Sequence, residues 1–405
     1  MATDNRRKSG NTVVSKKSIK KKKIRNIILM LVEVSVLAVL VVLCIYFFNF
    51  GDRKPNPNGG NGGDNGSANN NDGPVTEKVV DDDGTPSGIN DEIADIMTDD
   101  TVDNAMKDYY LIALFGVDSR SESLTAGDNR SDSIMVAAIH KKTNDVKLVS
   151  VYRDTYLNVD PEEDNNVDNY NKCNAAYALG SYKRAVTMLN ANLDLYIEDY
   201  VSVGFLGLIN AVDALGGVYI DVDDAEILHL NNYQAVMASE LNMEYDKVED
   251  TGYQLLNGLQ ATAYCRIRYT TGDDYKRAER QREVLVELLN EAKKASFSEL
   301  SKAASSILGN LSTSLTLDEI LDILGDISSY EIVEQDGFPN QKYRTSGLIG
   351  KKSCVVPVSL TTNVKWLHEF LFDAVDYKVS NRVQLYSDTI YSIAYPYLGE
   401  NVVEK

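Results

Sequence analysis

Residues 109–117 read Tyr-Tyr-Leu-Ile-Ala-Leu-Phe-Gly-Val, an unbroken apolar run closed by Asp118. A strand with one wet face would alternate apolar and polar residues; a run without alternation belongs to a strand buried on both faces, so its sheet needs cover on each side. Two more runs follow, Asp132–Ile139 and Val146–Val151. Helical patterns come next at Asn174–Leu193 and Phe205–Leu215, with the strand-like Tyr200–Val203 between them. Beyond these lie a strand at Val218–Val222 and a long periodic helix at Asp273–Ala295. Strands interleaved with helices predict an α/β fold, a three-layer α-β-α arrangement around a central mixed sheet. Further helices are expected at Ser298–Leu308, Leu317–Ile327 and Asn363–Asp373, and strands near Tyr330–Val333 and Ser353–Val358. Residues after Tyr377 carry no clear pattern.

The N-terminal part obeys other rules. Residues 27–48 are almost wholly apolar and long enough, at ~1.5 Å per residue, to cross a ~30 Å hydrocarbon layer as one transmembrane helix. A cleaved signal peptide would have a shorter apolar core ending in small residues, whereas this one ends in Tyr46-Phe47-Phe48. Residues 1–26 hold ten Lys and Arg against one acid, Asp4, which places the N-terminus in the cytoplasm and the rest outside. Glu33 lies near the cytoplasmic end of the span and is read as protonated or snorkelling. Residues 49–104, rich in Asn, Gly and Asp, read as a flexible tether reaching about 40 Å. The expected order is therefore a basic tail (1–26), a membrane helix (27–48), a linker (49–104), an extracellular domain (105–377) and a C-terminal extension (378–405).

Charge and composition exclude several function classes. The formal net charge is −19, and because residues 1–51 carry about +8, the external part carries about −27. Nonspecific nucleic-acid binding is unfavourable for such a surface, and the tail is too short for a helix-turn-helix. One of four cysteines, Cys44, lies in the span; Cys173, Cys265 and Cys354 make neither a disulfide framework nor a zinc site. Three histidines at unrelated spacings leave little for histidine-based catalysis.

Against that acidity, Arg266, Arg268, Arg277, Arg280 and Gln281 fall within sixteen residues. Val284, Leu285, Leu288, Leu289 and Ala292 form the buried stripe of the long helix, and its continuation meets Gln281 and Arg277. Arg282 fits a solvated face, and Arg280 fits a solvated face as well as it fits the site. If their segment is extended, Arg266 and Arg268 point the same way. Guanidiniums ~6 Å apart repel by roughly 3 kcal/mol at a dielectric of 20, so such a cluster calls for a polyanion, and its forks match a pyrophosphate. Asp118 ends the first buried run, Arg130-Ser131-Asp132 opens the second, and Tyr152-Arg153-Asp154 follows the third. Carboxylates at strand ends, where open sheets present ligand sites, suit oxygen-ligated Mg²⁺, with Mn²⁺ the alternative; Asp118 and Asp132 are the metal pair. The alternative for them is an Asp–Arg salt bridge without metal. Lys172 is read as opening a helix, where backbone N–H groups also favour anions.

These motifs, in this order, resemble the LytR–CpsA–Psr family: Gly116-Val117-Asp118-Ser119-Arg120, Arg130-Ser131-Asp132, Tyr152-Arg153-Asp154-Thr155, Lys172 to Tyr177, Asp213 to Val218, and Leu256-Asn257-Gly258 through Arg266-Ile267-Arg268 to Arg280-Gln281. The resemblance covers about Tyr109 to Ala295. It implies a membrane-anchored phosphotransferase of a Gram-positive-type envelope. Such an enzyme moves a glycopolymer, wall teichoic acid or capsule, from a polyprenyl-pyrophosphate carrier to peptidoglycan with Mg²⁺. Carried over by motif, Asp118 and Asp132 hold the metal, while Arg130, Arg153, Lys172, Arg266, Arg268, Arg277 and Gln281 clamp the pyrophosphate. Asp154 either orients Arg153 or serves as base for the acceptor hydroxyl. Family members usually carry Ile-Pro where this chain has Val151-Tyr152, a change that bears on a local turn. They carry Gly-Gly at Gly180-Ser181, a change that bears on the pocket wall. Neither departure removes a charged group. Phe205, Leu206, Leu208 and Ile209 are candidates to line an apolar channel for the lipid. A noncatalytic lipid-pyrophosphate or wall-polymer binding protein, and a phosphohydrolase with water as acceptor, remain alternatives.

Overall fold

The computed structural model describes residues 106–118, 124, 129–161, 166–268, 273–296, 300, 310–315 and 327–403. The tail, the apolar span, the linker and the helices expected at 298–308 and 317–327 lie outside these residues, apart from Leu300 and Ile327. Among the described residues no helix is long and apolar enough to cross a membrane.

The strands are β1 (Tyr109–Val117), β2 (Ser131–His140), β3 (Asp145–Val151), β4 (Tyr156–Asn158), β5 (Tyr170–Lys172), β6 (Asp199–Val203), β7 (Val218–Val222), β8 (Gly252–Leu256), β9 (Leu311–Thr313), β10 (Glu331–Phe338), β11 (Arg344–Ile349) and β12 (Lys352–Pro357). The helices are α1 (Ala175–Leu193), α2 (Phe205–Ala214), α3 (Asp224–Leu241), α4 (Gly258–Tyr264), α5 (Asp273–Lys294), α6 (Leu360–Phe372) and α7 (Asn381–Leu398). Six strands form the central sheet in the order β10-β3-β2-β1-β6-β9. Its pairings are mixed: β1 runs antiparallel to β2 and parallel to β6, and β3 runs antiparallel to β2 and parallel to β10.

The unalternating runs are buried on both faces, as expected. Ile112, Leu114, Met135 and Leu148 face a core shared with Val284, Leu285, Leu288 and Leu289 of α5. Ala113, Phe115, Val136 and Val149 face a second core shared with α1, α6 and α7. Helical cover on each face makes the α-β-α layering, and burying each Leu or Val stabilises it by ~1.5–3 kcal/mol. The residues after Tyr377 form α7, whose Val383, Tyr386, Ile390 and Ala394 are buried in that second core. The sequence also gave no sign of α3, whose start is fixed by a capping box between Asp223 and Glu226.

Candidate active site

The acids and arginines meet at the ends of β1, β2 and β3. Asp118 follows β1 directly, and its N–H donates to the Arg130 carbonyl at 3.0 Å. That pairing needs a close approach at Gly116, where a Cβ would sit 2.9 Å from the Ser133 Cβ. Asp132 is the second residue of β2. Arg153 and Asp154 occupy the turn after β3, closed by Thr155 N–H donating to the Tyr152 carbonyl at 2.8 Å. Tyr152 supplies the carbonyl that closes this turn, and its ring packs over Gly337, where a Cβ would collide with the Tyr152 hydroxyl.

Lys172 does not open a helix. It ends β5, opposite Tyr156, and α1 begins at Ala175. The pairing with β4 brings its Nζ within 3.1 Å of Asp154. Gly180 and Ser181 kink α1, with Ser181 at φ 58°, but neither belongs to the walls of the cavities at the site, so the expected effect there is not seen.

Asp132 is the hub. Its Oδ1 accepts from Arg153 Nη1 at 2.8 Å and its Oδ2 from Arg277 Nη2 at 2.9 Å. Burial by itself would raise its carboxyl, but Arg277 and Arg153 together hold it below the usual carboxylate range. Burial likewise works against the Arg153 charge, and Asp132, Asp274 and Asp154 more than offset that. Asp274 was missed by the sequence reading. It stands in the first turn of α5 with Oδ1 3.2 Å from Arg268 Nε, 3.4 Å from Arg153 Nη2 and 3.9 Å from Arg277 Nη1. In sequence it looks like an ordinary helix-start acid; its position three residues before Arg277 is the only clue.

Three cavities share Asp132 in their walls. One is largely apolar, lined by Leu114, Phe115, Met135, Phe205, Leu208 and Leu285, with Asp132, Arg266, Arg277 and Gln281 also on its wall. Phe205 and Leu208 thus line an apolar space as expected, while Ile209 packs into a separate core cluster and Leu206 does not line it. An open polar pocket is lined by Asp118, Arg130, Asp132, Arg153, Asp154, Lys172, Asn174 and Arg268. A small cleft between them contains Asp132, Arg153, Asp154, Asp274, Arg277 and Gln281. All ten sequence-selected residues line at least one of these spaces.

Three expectations need correction. Arg266 and Arg268 do not lie on an extended segment. They follow α4 in a turn, with Arg266 N–H donating to Ala263 and Ile267 N–H to Tyr264. The two side chains diverge, Arg266 to the apolar cavity and Arg268 to the polar pocket. Arg280 is only 2% exposed and Arg282 only 9%. Arg282 donates to Gln335 at 3.0 Å and Ser150 at 2.8 Å, because α5 lies against β3 and β10 as well as along its apolar stripe.

Among the described residues, several buried guanidinium nitrogens at the hub have no hydrogen-bond partner: Arg153 Nε, Arg266 Nη1, and Arg277 Nε and Nη1. Arg266 is instead seated over the Phe205 ring, 4.5 Å from its centroid. Unsatisfied buried donors are costly, and three arginines sharing one boundary call for an anion. Asp118 and Asp132 are the acids that could hold a hard cation, although both Asp132 oxygens are engaged by Arg153 and Arg277, as in the salt-bridge alternative. Asp118 makes no side-chain hydrogen bond or ion pair among the described residues, and no cluster of three or more His, Cys, Asp or Glu groups occurs there. Two carboxylates and no soft ligand suit Mg²⁺, which retains waters and shares substrate phosphates.

The LytR_cpsA_psr family profile matches residues 79–353. Biofilm regulatory protein A of Streptococcus mutans serotype c is 31% identical over 236 residues, 55% of this chain and 56% of that protein. The polyisoprenyl-teichoic acid–peptidoglycan teichoic acid transferase TagU of Enterococcus faecalis is 28% identical over 246 residues, 60% of this chain and 74% of that protein. The first of these alignments spans just over half the relative's length. The structure of TagT bound to LI-WTA is similar in fold, with a TM-score of 0.52 and 22% identity over 67% of this chain and 93% of that one.

Proposed function

Since the chain belongs to the LytR-CpsA-Psr family, we propose that it transfers a glycopolymer from a polyprenyl-pyrophosphate carrier to peptidoglycan, anchored in the membrane through residues 27–48. The observation that carries this reading is the set of buried guanidinium nitrogens on Arg153, Arg266 and Arg277 that lack a hydrogen-bond partner among the described residues, standing where an apolar cavity meets a polar pocket. A ligand with a hydrocarbon tail, a polyanionic centre and a sugar head has that same order of parts. The name of the Enterococcus relative supports this substrate class, since that protein is called a polyisoprenyl-teichoic acid–peptidoglycan teichoic acid transferase.

In this mechanism Arg266, Arg277 and Gln281 bind the lipid-proximal phosphate, and Arg130, Arg153, Lys172 and Arg268 bind the sugar-proximal one. Asp118 and Asp132 would hold Mg²⁺, which when bound neutralises charge on the phosphate oxygens. The acceptor hydroxyl oxygen forms a bond to the sugar-proximal phosphorus. The bond from that phosphorus to the bridging oxygen breaks, polyprenyl phosphate leaves, and the hydroxyl proton is released at the polar mouth. Asp154, 3.1 Å from Lys172 and 4.0 Å from Arg153, orients both cations there. Catalysis is then mostly positioning and electrostatics, as phosphoryl transfer allows without a strong base.

The test incubates the full chain in detergent with a synthetic prenyl-pyrophosphate disaccharide, Mg²⁺ and peptidoglycan fragments. A phosphodiester-linked product with release of prenyl phosphate is expected. Release without a linked product assigns hydrolysis instead, and binding without either assigns a carrier role.

A further inference from the structure

We infer that Arg280 is a positioning residue that fixes the Arg266-Ile267-Arg268 turn, an inference that rests on the pyrophosphate reading above. Arg280 lines none of the three cavities, yet it is 2% exposed on the same helix as Arg277 and Gln281. Its Nη1 donates to the Ile267 carbonyl at 3.1 Å, and its Nε donates to Glu226 Oε1 at 2.7 Å. Its guanidinium also stands 5.9 Å from the centre of the Tyr264 ring, the last residue of α4.

These three contacts lead back to the turn. Glu226 is 3% exposed, and its other oxygen accepts from the Asp223 N–H at 2.9 Å, so the carboxylate is fastened to the start of α3. Arg280 is therefore held at one end by a helix terminus and holds the Ile267 carbonyl with the other. The Ile267 side chain is fully buried. With its side chain and carbonyl both fixed, the residues on either side are directed apart, Arg266 over Phe205 and Arg268 towards Asp274. A buried guanidinium with a carboxylate partner is a costly way to stabilise a fold; its planar fork is well suited to setting one backbone geometry. The sequence cluster thus contains two kinds of arginine: Arg266, Arg268 and Arg277 face the cavities, and Arg280 places two of them.

The test measures binding of farnesyl pyrophosphate and farnesyl monophosphate to the full chain in detergent, alongside thermal melting. Arg280→Lys keeps a charge beside Glu226 but loses the second arm that reaches Ile267. The expected result is a fall of about tenfold in the preference for pyrophosphate over monophosphate, matching that of Arg266→Ala, with the fold intact. General destabilisation would weaken both ligands alike. Should Arg280→Lys not fold, Glu226→Gln/Arg280→Met removes both buried charges, and the same fall is expected. An unchanged preference in a folded variant overturns the inference while leaving the pyrophosphate reading intact. Equal affinity of the unmodified chain and Arg277→Ala for farnesyl pyrophosphate overturns that reading and this inference with it.

Discussion

Asp118 and Asp132 look alike in sequence, each at the end of a buried apolar strand, but the fold separates their duties. Asp132 answers Arg153 with one oxygen and Arg277 with the other, whereas Asp118 has no side-chain partner among the described residues. Replacing Asp118 by Ala is therefore expected to leave the melting temperature nearly unchanged while removing Mg²⁺-dependent turnover. Asp132→Asn should reduce turnover too and also cost about 1–3 kcal/mol of stability, because two guanidiniums lose their counter-charge. Denaturant midpoints and turnover against Mg²⁺ check both. The sign with pH follows: the Asp132 carboxyl is depressed in the fold, so its contribution is present above the unfolded value near 3.8 and lost as pH falls through the lower folded one. These acids were legible because a strand end is a local pattern. Asp274 was not, since only tertiary folding brings a helix-start acid against Arg153, 121 positions away in the chain.

The long helix α5 was the easiest element to read and the easiest to misread. Its apolar stripe located Arg277 and Gln281 on the protein side, but α3 and the β3–β10 edge cover further faces of it, and those contacts leave no periodic trace. Hence Arg282, assigned to solvent by the stripe, and Arg280, which the stripe left open, are both buried. The same covering half-buries Glu283, whose carboxyl is raised to about 7, first by burial and then by Glu226, although Tyr264 donates to it at 3.0 Å. A raised folded pKa means that its stabilising contribution is full below about 4.5 and is lost as pH rises through about 7. The shift sets a ceiling of about 3 kcal/mol. Glu283→Gln keeps an acceptor for Tyr264 and has no proton to lose, so its advantage in melting temperature over the unmodified chain should grow between pH 5 and pH 8. A difference that stays constant across that range would refute the assignment.

At the scale of the whole molecule, the family match ends at residue 353 while the core runs on to Val402. The pattern of α7 was hidden because Tyr391, Tyr395 and Tyr397 lie exposed on its other side, blurring the buried stripe of Val383, Tyr386, Ile390 and Ala394. Asp194, at the left-handed end of α1, ties this helix down: its Oδ1 accepts from the Ser380 hydroxyl at 2.6 Å and its Oδ2 from the Ser380 N–H at 2.8 Å. Burial raises the Asp194 carboxyl despite those bonds. His368 of α6 sits beside the same corner with Nε2 2.9 Å from the Leu193 carbonyl, and burial pushes it down to about 4. The corner is thus buried, and α7 closes it. Ending the chain at Tyr377 would expose the faces that pack on α7, where Val383, Tyr386 and Ile390 are each worth ~1.5–3 kcal/mol and together reach the lower part of the 5–15 kcal/mol of a typical domain. The truncated protein is expected to lose cooperative melting and to be cut rapidly by protease within α1 and α6, even though every residue of the candidate site remains. A truncated chain that melts cooperatively at the temperature of the full one would show that α7 is an appendage rather than part of the core.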